Sequence, residues 1–184
     1  MLVYANGQGA HLPCFDSTVA TLMEMRFIKL PGNRDAIEVV ERQRGPDIQR
    51  APRETGPTLP HDLAHAAVES ALGIVDGFWG AVDEGAVFED FKPLDPNLRH
   101  RRSGLKRLSA VGEREALAEH KVSWAHRVWS GQRTEGRGLG ASPLTQNELE
   151  CGSSALNVAY EKWKALPVMG RLVWRWAPDL RRSC

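Results

Sequence analysis

Two short runs of strict alternation, joined by a turn, do most to limit what this chain can become. From Thr21 to Leu30, Met23, Met25 and Phe27 fall on one side and Glu24 and Arg26 on the other. A period of two is that of a strand with one face in a core. Pro31-Gly32-Asn33-Arg34-Asp35 supplies turn residues, and from Ala36 to Arg42 the alternation resumes through Ile37 and Val39. The pair predicts a β-hairpin with a loop of about five residues, so the fold starts as antiparallel β.

Helical patterns then follow in one block. Pro60 to Leu72 reads as a helix, with Pro60 suited to a first helical position and Gly73 to the position just past the end. Its apolar arc is Leu63, Ala64, Ala67, Val68, Ala71 and Leu72, and His61, Asp62, His65 and Glu69 share an adjoining side. A helix of two to three turns is expected between Gly77 and Phe91. A longer one is expected from Val111 to Ser130, its arc formed by Leu117, Val122, Trp124, Ala125, Val128 and Trp129. Thr145-Gln146-Asn147-Glu148 matches a capping box and opens a last helix to Ala165, carried by Leu149, Leu156, Ala159, Tyr160 and Trp163. Val168 to Trp176 alternates again, which makes a third strand and a partner for the hairpin.

Between these elements, Arg44 to Thr58 is rich in proline and glycine and reads as a surface linker. Lys92 to Leu108 reads as a solvated basic loop. The order strand, strand, helices, strand predicts an α+β domain: a small antiparallel sheet, the N-terminal hairpin plus the C-terminal strand, packed against three or four helices. The 184 residues suit one domain, placed at 21–178, with 1–20 as a poorly ordered arm and 179–184 as a tail. Because the patterned region opens at Met23 and Met25, Met1 and Met25 stand as alternative starts.

Composition removes several classes of function. The net charge of +1 gives no whole-molecule reason to bind nucleic acid or an anionic membrane. The basic run from Arg99 to Arg107 lacks the interleaved aromatic residues of a single-strand binder. No apolar run approaches a membrane span and the N-terminus has no signal-peptide profile, so a soluble protein is expected. Cys14, Cys151 and Cys184 are an odd count at no regular spacing. That pattern argues against a disulfide framework and for a reducing, cytoplasmic setting.

One constellation carries chemistry. His61 and His65 stand four apart, so both imidazoles face the same way, about 6 Å apart along the helix axis. This spacing lets one helix offer two nitrogens to a divalent transition metal such as zinc or iron. Asp62 is the candidate catalytic acid or base beside it. Glu69 lies too far along the axis to share one ion with both histidines and is assigned an outer or edge role. The missing ligand is sought in Glu84 or Asp83, or in Glu119 or His120. From Thr55 to Phe91 there are seven acidic residues and no Lys or Arg, a setting that favours a cation. The plainer alternative is a non-enzymatic module in which His61 and Asp62 serve the helix terminus and His65 is half-buried. The catalytic reading implies a small-molecule substrate and a hydrolase or lyase.

The segment Leu59-Pro60-His61-Asp62-Leu63-x-His65-x-x-Val68-Glu69, followed by Gly77-Phe78-Trp79-Gly80, resembles the core of a family of small bacterial proteins without an assigned activity. The likeness spans roughly Met25 to Trp176, favours Met25 as a start and implies no reaction. A weaker likeness is to ubiquinone-biosynthesis proteins that carry His-Asp-x-x-His with a Glu twelve residues after the second His, which implies a zinc-type site. Here that position is Gly77, with Asp76 one short of it. The His-Asp doublet is also similar to that of metal-dependent phosphohydrolases, whose all-helical fold the expected strands oppose.

Overall fold

The computed structural model describes residues 22–98, 103–104, 106–107, 112–135 and 140–176. The strands are β1 (Glu24–Leu30), β2 (Arg34–Val40), β3 (Ile48–Glu54), β4 (Phe91–Pro93) and β5 (Arg171–Arg175). The helices are α1 (His61–Leu72), α2 (Phe78–Asp83), α3 (Glu113–Trp129) and α4 (Gln146–Ala165). The strands form one antiparallel sheet in the order β4-β3-β2-β1-β5. The α+β class holds, as does the pairing of the C-terminal strand with the hairpin.

The hairpin is tighter than expected. Leu30 pairs with Arg34, so only three residues turn the chain, with Gly32 and Asn33 in the left-handed region that these two types tolerate best. Met25, Phe27, Ile37, Val39 and Ile48 are fully buried on the inner face. The outer face is charged: Arg26 meets Glu24 and Glu38, and Arg171 also reaches Glu38. One wet face and one dry face explain the clean alternation of β1 and β2.

Two strands depart from the sequence reading. The linker assigned to Arg44–Thr58 contains β3, and the basic loop from Lys92 overlaps β4. Asp35 pairs with Arg53 while Ile37 pairs with Arg50, so Ala51 and Pro52 stand opposite Ala36 alone. This bulge is where a strand can hold a proline, which has no N–H to give the ladder. The second helix is also shorter than expected, at six residues.

Helix α1 runs through the centre of the domain. Every residue from Asp62 to Glu69 is buried, so the side expected to carry wet ligands is largely enclosed. Small residues allow the close packing: a Cβ on Gly152 of α4 would lie 3.3 Å from Ala125 of α3 and 3.9 Å from Val68 of α1. Gly73 ends the helix in the left-handed conformation, its N–H bonded to Ser70. The Thr145 capping box is present in both directions. On α3, Val122, Trp124 and Ala125 are buried, but Leu117 faces solvent, 49% exposed, outside the arc assigned to it.

Cys151 is buried on α4 and is disulfide-bonded, which does not fit the reducing setting expected from the cysteine pattern. Among the described residues no helix is long and apolar enough to cross a membrane. The arm assigned to 1–20 and the tail at 179–184 lie outside the described residues.

Candidate metal centre

The start of α1 is anchored to the sheet by a buried charge network. Arg50, inward on β3, bonds Asp35 on β2, which also accepts from the Thr55 hydroxyl at 3.0 Å. The Nε of Arg50 lies 3.1 Å from Asp62 Oδ2, an ion pair not aligned as a hydrogen bond. Arg53 Nη2 donates to Asp62 Oδ1 at 2.6 Å. Burial pushes the Asp62 carboxyl up, but the His61 hydrogen bond and the Arg53 and Arg50 charges outweigh it and hold it below its usual range. The ionised carboxylate is the form these partners favour. Asp62, expected as a catalytic acid or base, is tied through its carboxylate to two arginines of β3.

The expected run of carboxylates without basic partners does not hold at Asp62. Its arginines come from β3, just upstream of Thr55 in the chain and folded over the start of α1.

Glu69 is held by the turn into α2. Its Oε2 accepts the Trp79 backbone N–H at 3.0 Å and its Oε1 lies 3.0 Å from His65 Nδ1. Gly77 makes this approach possible, because a Cβ there would lie 2.5 Å from Glu69 Oε2. Gly80 has a comparable reason: its Cβ would fall 1.8 Å from the Val75 carbonyl oxygen. The Trp79 indole N–H donates to the Asp62 carbonyl at 2.9 Å and closes the unit. Gly-Phe-Trp-Gly and His-Asp-x-x-His are thus two halves of one packed device.

Both histidines therefore have a carboxylate behind Nδ1: Glu69 for His65, and Asp62, at 3.4 Å, for His61. Such partners fix the tautomer and direct the other ring nitrogen outward. The rings lie 4.5 Å apart between centroids. His65 Nε2 is 3.6 Å from Glu119 Oε2 on α3. One ligand atom from each of His61, His65 and Glu119 lies within 4.8 Å of the others. Burial lowers the His65 pKa, yet the Glu69 hydrogen bond and charge, followed by the Glu119 charge, raise it above the ordinary value. Burial pushes Glu69 up as well, against the pull of His65 and two backbone amides, so the pair holds its proton tightly.

These groups open on a cavity of about 260 Å³ between the start of α1 and α3. Glu119, Val122, Ser123 and His126 line it from one stripe of α3, at the spacing of successive turns. Burial, then the charges of His61 and His65, lower the His126 pKa below its ordinary value, which favours the neutral imidazole.

The expected residues divide by place. His61 and His65 come together, and Glu119 joins them from among the alternatives considered. Glu69 stands behind His65 rather than beside the cavity. Glu84 is elsewhere, exposed and 3.0 Å from Arg44. Asp83 is buried and accepts from the Gln43 backbone, and His120 packs edge-on against Trp124. His126, Arg50 and Arg53 were missed. The i, i+4, i+7 spacing of Glu119, Ser123 and His126 was the available signal for the first. No family model matches this chain, and neither a curated protein nor a solved structure matches it.

Proposed function

We propose that this chain is a metal-binding protein whose His61, His65 and Glu119 hold one divalent transition metal, zinc or iron. Two imidazoles and one carboxylate suit either ion and leave positions for water or substrate. The observation that carries the reading is the convergence of these three groups within 4.8 Å, with a carboxylate behind each imidazole. A metal so held supplies Lewis-acid activation of a carbonyl or a water, the chemistry of hydrolases and lyases. Glu69 and Asp62 then act as positioning residues, and His126 is the neutral imidazole in the cavity with which to accept a proton.

The competing reading, a module in which the histidines serve only the fold, draws on the ion pairing of His65 with Glu69 and Glu119. Elemental analysis of protein purified without a metal-affinity tag separates the two. Metal near one equivalent, with a Tm lowered by chelator, supports the centre. His61→Ala and Glu119→Gln, both at exposed side chains, should remove that response without unfolding the protein. Metal-free protein indifferent to chelator sinks the proposal.

A further inference from the structure

We propose that the cavity over His61 and His65 takes a small organic carboxylate, with the Arg127 guanidinium as its counter-charge. The inference rests on the metal reading and names the class of ligand for the same site. The wall is rich in cationic and imidazole groups: His61, His65, His126 and Arg127 line it, against the single carboxylate of Glu119. Among the described residues the Arg127 guanidinium makes one hydrogen bond, 3.3 Å to the Arg133 carbonyl, and no ion pair. Its planar fork of donors therefore has capacity left, in the geometry that matches a carboxylate.

Leu59, Ala64 and Val122 complete the wall with apolar surface for a short hydrocarbon body. At about 260 Å³ the space falls just below the range of drug-sized pockets, which favours a small acid. The larger cavity on the other side of His61, about 690 Å³, sets Arg50, Arg53 and Lys106 against Asp62, Glu89 and Asp90. Its charges balance and select no sign of ligand.

The test is calorimetric titration of zinc-loaded and metal-free full-length protein with benzoate and butanoate, against benzamide, butanamide and inorganic phosphate. Benzoate should bind the zinc-loaded protein at least about tenfold more tightly than benzamide, the worth of one charge-assisted pair. Arg127→Gln should lose about that factor for benzoate while zinc affinity changes less than about threefold, and Arg127→Lys should recover part of it. Arg127 is partly exposed, and an unchanged thermal melt of each variant confirms that the fold is intact.

Zinc binding without carboxylate binding, or an Arg127→Gln protein that binds benzoate normally, overturns the proposal and leaves the metal centre standing. Phosphate bound more tightly than either acid also overturns it. If zinc does not bind, the metal reading fails alone. Benzoate binding by the metal-free protein, lost in Arg127→Gln, then still supports the anion subsite, and its absence overturns that too.

Discussion

His65 Nδ1 and Glu69 Oε1 lie 3.0 Å apart on successive turns of α1, and both side chains are almost wholly enclosed. The pair sits where α1 meets the turn into α2, so it serves the fold and aims His65 at the cavity. Removing one partner leaves the other buried without its match. Glu69→Ala should therefore destabilise the protein by about 2–4 kcal/mol, because the Trp79 N–H and the His65 ring both lose an acceptor. Glu69→Gln keeps the shape and should cost less. Urea unfolding with constant slope checks both.

The glycines of the α2 turn make a steric prediction. Gly77→Ala drives a methyl into the Glu69 carboxylate, and Gly80→Ala drives one into the Val75 backbone carbonyl. The carboxylate can yield a little and the backbone cannot. Costs of about 1–3 kcal/mol for Gly77→Ala and more for Gly80→Ala are expected, read as falls in denaturation midpoint.

Acid sensitivity should trace to Asp62. Its folded-state pKa lies below the ordinary 3.8, so its contribution to stability is present above that pH and is lost as pH falls through the lower folded value. Asp62→Asn destabilises at every pH, since Arg50 keeps a buried charge with one partner fewer. Its loss of stability on acidification should nonetheless be shallower than that of the wild type. Denaturation midpoints taken from about pH 5 to pH 2 test this. An equally steep acid limb in the variant would assign the sensitivity elsewhere.

Metal affinity should depend on pH through His65. The ring holds its proton above the ordinary 6.5, and it must release that proton to become a ligand. Zinc affinity should therefore rise with pH through 6.5 and continue rising beyond it. Conversely, the stability that protonated His65 gives the metal-free protein is complete below 6.5 and fades as pH passes the raised value. Competition titrations with a chelator at several pH values follow the first effect, and urea midpoints of metal-free protein follow the second.

What the linear order of residues determined by itself is whatever depends on local period and local chemistry. The alternation of Met23, Met25 and Phe27 against Ile37 and Val39 announces a hairpin because each face has one environment. The Thr145 box and Gly73 mark helix ends because capping is settled within a few residues. His61 and His65 share a side of one helix for the same reason. Tertiary structure alone decided the rest. Strand β3 carries Pro52 and an inward Arg50, which contradict strand rules until a bulge and two buried aspartates on other elements accommodate them. Asp62 reads as a free acid until β3 brings two guanidinium groups to it. Glu69 and Glu119 flank the same ring, and only the packing of α3 across α1 separates the one that orients His65 from the one that faces the cavity. Periodicity records which way a side chain points; charge compensation depends on distances between segments far apart in the chain, and folding sets those.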